Sequence, residues 1–476
     1  MTNRRTVAAA TLIVLAAAVP ALTQRPQLPQ QVRNFVKVDA DVVAITHVRV
    51  IDGTGAPARA DQTLVIRGGN IAAVGPFAST AVPEGATVID GTGKSVMPGL
   101  IQLHEHLYYP TGPGVYGQLG ASFVRLYLAG GVTTMRTGGN ENGFMDMSLA
   151  KEIEEGTRPG PSIDATAPYL NGARPGSLQM TALKGVDDAR RHVNYWADQG
   201  ATSFKAYMQI SRADLGAAID EAHKRGLKVT GHLCSVTLGE AADLGIDNLE
   251  HGFAAATDFF ANKQPDVCPG QGAGQQSVVA TDIEGAPFKA LVKKLIDKKV
   301  ALTSTLTVFE TFTPGRPMPP GLDVLLADLK TQFEATYQRV SSSQTSVYRQ
   351  LFPKMMAMEL AFAKAGGMLV AGTDPTGSGG VIPGYANQRQ IELLVDEGHS
   401  PLEAIRISTL NGAKYLGRDA RVGSIAVGKQ ADLVLVSGDP SMKISDVRNV
   451  DTVFRKGLGF DPVKLIDSVK GKVGLW

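Results

Sequence analysis

The sequence lacks a charge excess of one sign, and it lacks a run of basic residues that could follow a phosphate backbone. Its 476 residues include 47 Lys+Arg and 45 Asp+Glu, which gives a formal net charge of +2. We therefore expect no nucleic-acid partner. With 43% hydrophobic and 19% charged residues, the composition is that of a globular protein and not of a disordered or fibrous one.

Long hydrophobic segments are also missing, apart from one apolar run from Val7 to Leu22 that follows Arg4 and Arg5. The run is shorter than the roughly 20 residues of a bilayer span, and polar sequence follows it, so residues 1–22 are predicted to be a cleaved secretory signal peptide. A membrane anchor and a twin-arginine signal are the alternatives. We expect a secreted or periplasmic protein with no stable membrane insertion after cleavage.

Cysteine is scarce: Cys234 and Cys268 are the only two in the chain. The absence of an earlier cysteine argues against a lipid-anchored N-terminus. Export makes a disulfide between the two chemically possible, and two separately buried thiols are the alternative.

Short β-branched runs separated by glycines occupy residues 43–98 and return near the C-terminus. Such runs predict antiparallel strands and turns. We expect residues 43–98 and 415–456 to form one small β-sandwich domain from both ends of the chain, with 457–476 as a C-terminal extension.

Residues 99–414 alternate between strand and helix patterns, which indicates an α/β fold, a (β/α)8 TIM barrel. The eight predicted strands are Leu100–His104, Val132–Arg136, Ser162–Ala167, Ser203–Tyr207, Lys228–His232, Asn248–His251, Ala301–Leu306 and Met368–Gly372. The stretch 258–285, rich in Gly and Gln, is predicted to be a loop on the active-site face.

Metal-ligating residue types recur at the ends of these predicted strands, where barrel enzymes place their catalytic groups. The candidates are His104, His106, Lys205, His232, His251 and Asp374. Imidazoles with a carboxylate suit zinc and related divalent ions. Taken singly, each histidine could be a hydrogen-bonded core residue, and Lys205 could be a structural lysine paired with a carboxylate. The prediction depends on their joint placement.

Lys205 needs a separate explanation, because an ammonium group repels metal cations. Burial lowers a lysine pKa, and the neutral amine can then take up carbon dioxide to form a carbamate whose two oxygens can bridge two metals. We therefore predict that Lys205 is modified to N6-carboxylysine.

Several motifs resemble those of the amidohydrolase superfamily. They are Met97-Pro-Gly-Leu-Ile-Gln-Leu-His-Glu-His, Phe204-Lys-Ala-Tyr, Val229-Thr-Gly-His, Leu249-Glu-His-Gly, Ala371-Gly-Thr-Asp and Gly423-Ser-Ile-Ala-Val-Gly-Lys. Within the superfamily the chain is most similar to the imidazolonepropionase-related branch, which includes prolidase-like Xaa-Pro dipeptidases and ochratoxin-cleaving amidohydrolases. One departure is Thr137, which stands where many relatives carry an acid.

The resemblance implies two divalent metal ions, usually zinc, bridged by the Lys205 carbamate and a hydroxide. It places His104, His106 and Asp374 on one ion and His232 and His251 on the other. Asp374 would be the catalytic base that accepts the proton of the nucleophile and passes it to the leaving amine.

The leading functional prediction is a secreted hydrolase that cleaves the amide bond of a small peptide or N-acyl amino acid. Two alternatives remain open: the same centre acting on an ester, lactone or cyclic amide, and a non-catalytic envelope protein that binds a ligand or metal. The partner is expected to be a small-molecule substrate, and self-association into a homo-oligomer is possible. Candidate substrate contacts are Arg136, Tyr169, Tyr207 and Arg389.

Overall fold

The computed structural model describes residues 28–112, 114–173, 177 and 179–475. The predicted signal peptide, residues 1–22, lies outside the described residues. Among the helices in the described part of the chain, none combines the length and the apolar character that a membrane crossing requires.

The first elements of the described part are a short helix and six strands, and the strands are rich in Val and Ile. They are α1 (Gln30–Arg33), β1 (Val36–Val38), β2 (Val42–Val50), β3 (Arg59–Arg67), β4 (Asn70–Pro76), β5 (Thr87–Asp90) and β6 (Lys94–Pro98). Strand β3 pairs antiparallel with both β2 and β4. A two-residue turn joins β3 to β4, and a longer loop joins β2 to β3.

The next ten strands supply the barrel and one hairpin beside it. They are β7 (Leu100–Glu105), β8 (Tyr108–Gly112), β9 (Val115–Gln118), β10 (Val132–Thr137), β11 (Ser162–Asp164), β12 (Ser203–Ala206), β13 (Lys228–Gly231), β14 (Asn248–Glu250), β15 (Ala301–Ser304) and β16 (Leu369–Ala371). The antiparallel pair β8 and β9 forms the hairpin. The other eight coincide with the eight predicted strands, so the predicted α/β barrel is confirmed.

These eight strands run parallel, in two sheets with the orders β11-β10-β7 and β12-β13-β14-β15-β16. Their residues are buried on both faces, as expected for strands covered by helices. On one side, Thr166 and Ser203 form a parallel bridge between the two sheets. On the other, the backbone N–H groups of Thr373 and Asp374 donate to the carbonyl of His104 at 3.1 and 2.9 Å. The bridge links the ends of β11 and β12, and the two hydrogen bonds link the ends of β16 and β7.

Helices follow the barrel strands and bury an apolar face against them. They are α2 (Gly120–Ala129), α3 (Phe144–Glu154), α4 (Val186–Asp198), α5 (Arg212–Lys224), α6 (Leu238–Leu244), α7 (Gln271–Ala280), α8 (Ala286–Asp297), α9 (Leu306–Thr311), α10 (Ala327–Ser342), α11 (Tyr348–Lys364), α12 (Tyr385–Glu397), α13 (Pro401–Arg406) and α14 (Gly412–Tyr415). A π-helical turn at Ile407–Asn411 joins the last two, and a 3-10 turn lies at Leu322–Val324.

The stretch 258–285 is not entirely the loop that its composition predicted, because α7 lies within it. Val278 is fully buried, and the side-chain amide of Gln275 donates to the Tyr348 hydroxyl at 2.8 Å, so contacts with α11 stabilise the helix. The glycines and glutamines of α7 give it no clear apolar stripe, so the sequence pattern did not predict this helix.

The chain ends in β17 (Leu433–Ser437), a 3-10 turn at Ile444–Arg448, β18 (Val450–Arg455), β19 (Leu458–Phe460) and α15 (Pro462–Asp467). These strands join the N-terminal ones in a nine-stranded sheet of order β1-β19-β18-β17-β6-β2-β3-β4, with β5 beside β2. The pairing reaches past residue 456, because β19 lies between β1 and β18. Both ends of the chain thus build one sheet beside the barrel.

Candidate active site

The end of β7 places two histidines at the mouth of the barrel, and both are buried: His104 is 0% and His106 1% exposed. Two glycines leave room for the side chain of His104. A Cβ atom at Gly138 would lie 2.4 Å from the His104 ring, and one at Gly372 would lie 2.5 Å from its Cβ. Side chains at either position would displace this imidazole, so the glycines that follow β10 and β16 determine where it lies.

Oxygen atoms fix three imidazoles through their Nδ1 atoms. The Nδ1 of His104 lies 2.8 Å from the Glu250 carboxylate, that of His106 lies 3.0 Å from the Gly139 carbonyl, and that of His251 lies 2.8 Å from the Thr305 hydroxyl. A proton on Nδ1 leaves the lone pair of Nε2 free. Three Nε2 atoms are thus available as ligands.

Burial keeps these rings neutral. It lowers the pKa of His104 and His251, and it brings that of His106 to about 4 and that of His232 to about 3. A neutral imidazole is the form that binds metal. The four histidines are therefore suited to be ligands at neutral pH.

Asp374 lies opposite the histidines. Its carboxylate oxygens are 3.3 Å from His106 Nε2, 3.9 Å from His104 Nε2 and 3.9 Å from His251 Nδ1. Both Asp374 and His251 adopt the left-handed backbone region, with φ of 54° and 68°. Such backbone costs about 1–2 kcal/mol for a residue with a Cβ, and it is found disproportionately at functional sites.

The donor set fits a divalent metal. One ligand atom each from His104, His106 and Asp374 lie within 4.8 Å of one another, and all three residues are buried. His251 Nε2 is buried without a hydrogen-bond partner among the described residues, as expected of an atom reserved for a ligand. The His251 ring centroid lies 4.4 Å from that of His232.

Lys205 lies at the centre of this group. Its Nζ is 2.9 Å from His104 Nε2, and the residue is 1% exposed. Burial lowers the pKa of this amine to about 8, although the nearby carboxylates Glu250 and Asp374 oppose the shift. About one tenth of an amine with this pKa is unprotonated at pH 7, far more than of an ordinary lysine. The structure thus brings together all six residues predicted as ligands.

A buried ion pair supports the first imidazole, and sequence reasoning did not assign it a role. Glu250, which accepts from His104 through one oxygen, accepts from Arg136 Nη2 through the other at 2.7 Å. Arg136 also donates to Thr230 Oγ1 at 3.1 Å and to the carbonyl of Leu103. The only sequence signal for Glu250 was its position directly before His251.

A cavity of about 230 Å³ opens over the candidate ligands. His106, Lys205, His232, His251 and Asp374 line it, together with aromatic side chains. The aromatic lining residues are Tyr108, Tyr116, Tyr169, Tyr207, Phe309, Phe312 and Tyr348. Both tyrosines predicted as substrate contacts, Tyr169 and Tyr207, are among them.

The two predicted arginine contacts lie elsewhere. Arg136 is 1% exposed beneath the histidines, on the side away from the cavity, and its charge is paired with Glu250. Arg389, on α12, donates to both Glu310 oxygens at 3.0 and 2.8 Å and to Glu392 at 2.9 Å. Neither lines the cavity. Sequence position alone predicted both arginines as substrate contacts. It could not show that carboxylates of the protein itself bind both guanidinium groups.

Two further sequence features have definite places. Cys234 and Cys268 form a disulfide that encloses a segment of 34 residues, and Cys234 lines the cavity two positions after His232. Thr137 accepts a hydrogen bond from the backbone N–H of Thr166 at 2.9 Å, so it links the ends of β10 and β11.

Comparisons with known proteins found similarities of sequence and of fold. Residues 324–459 match the model of the amidohydrolase family. An imidazolonepropionase from Chloroflexus aggregans is 26% identical over 402 residues, or 80% of this chain and 85% of that protein. Adenine deaminase 3 from Rhizobium meliloti is 23% identical over 388 residues, or 81% of this chain. The chain spans about half the length of this relative, 53%. Among solved structures, a prolidase candidate from Bifidobacterium longum superposes with a TM-score of 0.67 at 25% identity, covering 90% of this chain and 99% of that one.

Proposed function

We propose that the chain is a metal-dependent hydrolase of a carbon–nitrogen amide bond, because residues 324–459 match the model of the amidohydrolase family. The substrate class is a small peptide or an N-acyl amino acid. The observation that carries the proposal is the convergence of ligand atoms from His104, His106 and Asp374 within 4.8 Å at the mouth of the barrel. The prolidase-like neighbour supports the choice of an amide bond.

Two zinc ions are the proposed cofactors. His104, His106 and Asp374 would hold one, and His232 and His251 would hold the other. When bound, such ions supply a nucleophile from water at neutral pH and polarise the scissile carbonyl. The buried Nε2 of His251, which has no partner among the described residues, supports the second site.

As a carbamate, Lys205 would supply oxygen ligands to these ions. Its unprotonated Nζ attacks the carbon of carbon dioxide, a nitrogen–carbon bond forms, and one proton leaves to solvent, which gives a carbamate with two oxygens. The lowered pKa of the amine and its position beside His104 Nε2, at 2.9 Å, support this modification. An unmodified ammonium group at this place would oppose metal binding.

Asp374 moves the proton. The Thr376 hydroxyl donates to its Oδ1 at 2.6 Å, so Oδ2 is the oxygen that takes the proton of the attacking water. The same oxygen then delivers this proton to the leaving amine, which a neutral amine product requires. The position of Asp374 on the cavity wall allows both transfers.

We also propose that the protein is secreted or periplasmic. The disulfide between Cys234 and Cys268 supports an oxidising compartment. The apolar run near the N-terminus, which is typical of a signal peptide, also supports export.

The test combines metal content with turnover. Elemental analysis of protein purified without chelators should give about two zinc ions per chain, and native mass spectrometry should show the added carbamate. Chelation should abolish amide hydrolysis, and zinc should restore it. Asp374→Asn should lose turnover by more than about 100-fold while it retains at least one ion.

The matched control is Asp297→Asn, which removes a surface carboxylate paired with Lys293. It should retain full activity. Hydrolysis of esters or lactones without amides would favour the alternative bond class. Zinc binding without turnover on any panel would favour a binding protein.

A further inference from the structure

A second carboxylate faces the cavity, and the proposed chemistry does not use it. Glu141 follows β10 and is 8% exposed. The Ser177 hydroxyl lies 3.2 Å from both of its oxygens. No lysine or arginine among the described residues pairs with Glu141, and burial raises the pKa of its carboxyl. A carboxylate on a cavity wall without a cationic partner is a candidate site for a cationic ligand.

Four tyrosines line the same cavity as this carboxylate: Tyr108, Tyr116, Tyr169 and Tyr207. The rings of Tyr108 and Tyr116 lie 5.2 Å apart, and those of Tyr169 and Tyr207 lie 5.0 Å apart. The hydroxyls of Tyr108 and Tyr169 share a hydrogen bond.

Aromatic faces combined with a carboxylate attract ammonium groups through cation–π and ion-pair interactions. Apart from the candidate metal ligands Lys205 and Asp374, Glu141 is the only Lys, Arg, Asp or Glu among the described lining residues. This part of the cavity wall therefore offers a ligand a carboxylate and aromatic faces, without a lysine or arginine.

We propose that Glu141 and its four tyrosines form an ammonium subsite, so that the substrate is an amide that carries a protonated amino group. This inference rests on the proposed hydrolase function and narrows it. It favours small peptides with a free amino terminus over N-acyl amino acids, whose amine is blocked.

The first test uses a matched pair of amides that share one leaving group: L-alanine p-nitroanilide and N-acetyl-L-alanine p-nitroanilide. The zinc-loaded wild-type protein should hydrolyse the free amine with a kcat/KM at least about 10-fold higher. Glu141→Gln should raise KM for the free amine and bring the ratio close to one. A ratio that the substitution leaves unchanged would overturn the subsite.

The second test separates the subsite from the hydrolase. Choline and 3,3-dimethylbutan-1-ol have nearly the same shape, but only choline is charged. Calorimetry on the zinc-loaded wild type should show tighter binding of choline, and Glu141→Gln should abolish the difference. If neither anilide is hydrolysed and this difference holds, the hydrolase proposal fails and the subsite stands.

Equal binding of choline and its neutral isostere to the wild type would reject the subsite without any variant. This keeps the test decisive even if Glu141→Gln does not fold. Glu284→Gln, which removes an exposed carboxylate paired with Lys289, controls for the change in net charge. It should leave both the hydrolysis ratio and the binding difference as in the wild type.

Discussion

The Glu250→Gln substitution tests how the buried ion pair supports the candidate metal site. Glu250 accepts from Arg136 at 2.7 Å through Oε1 and from His104 Nδ1 at 2.8 Å through Oε2. Both partners are donors, whereas a glutamine offers only one acceptor oxygen. If that oxygen faces Arg136, the amide NH2 faces Nδ1 and shifts the imidazole proton to Nε2, which removes the lone pair that a metal needs.

The expected cost has two parts. Removal of one partner from a buried ion pair destabilises a protein by about 3–5 kcal/mol. The lower end applies here, because Arg136 retains its bonds to Thr230 and to the Leu103 carbonyl. Loss of the residue that orients a ligand imidazole typically lowers metal affinity by about 10- to 100-fold.

Urea denaturation of the metal-free protein measures the first part, and zinc titration with a competing chelator measures the second. The double variant Arg136→Met/Glu250→Gln should recover part of the stability but not the zinc affinity. Glu155→Gln, at an exposed residue whose contact to Lys151 is 3.9 Å, is the control and should change stability by less than about 0.5 kcal/mol. A loss below about 1 kcal/mol with unchanged zinc affinity in Glu250→Gln would refute the reasoning.

Two further predictions concern stability. Cys268→Ser opens the loop of 34 residues that the disulfide closes with Cys234, and it should lower the free energy of unfolding by about 3 kcal/mol. Reduction of the wild type should reproduce this loss. An unfolding midpoint of the wild type that does not change with reductant would contradict the prediction. Glu359 and Glu397 are buried, their carboxyl oxygens have no hydrogen-bond partner among the described residues, and burial raises their pKa values from 4.5 to about 7 and about 10. Their folded-state values lie above the unfolded one, so the pair contributes stability below pH 4.5 that is lost as pH rises through about 7 and beyond. Relative to the wild type, Glu397→Gln should therefore gain on the order of 2 kcal/mol between pH 5 and pH 8 in urea unfolding, whereas parallel pH profiles would show that the pair titrates normally.

Local sequence was sufficient to predict the barrel strands. Each strand lies in a short segment that alternates with a helical pattern, and that alternation can be recognised from neighbouring residues. The same approach missed α7, whose stability comes from α11 and not from its own periodicity.

The candidate ligands could also be predicted, because catalytic groups of a barrel lie at the carboxyl ends of its strands. The predicted strand ends were sufficient to identify His104, His106 and Asp374 as candidates. Their mutual distances, within 4.8 Å, then follow from the barrel bringing those ends together.

Tertiary structure alone decided what surrounds the ligands. Glu250 is 146 residues from His104 and 114 from Arg136 in the chain, and no local pattern encodes such contacts. Because Arg136 pairs with Glu250, it supports the His104 imidazole and is not a substrate contact. Glu141, in contrast, lines the cavity without a lysine or arginine partner among the described residues. The sequence by itself determined which residues could bind metal, because strand ends are local features. Packing decided which charges are neutralised internally and which face a ligand, because that depends on side chains far apart in the chain.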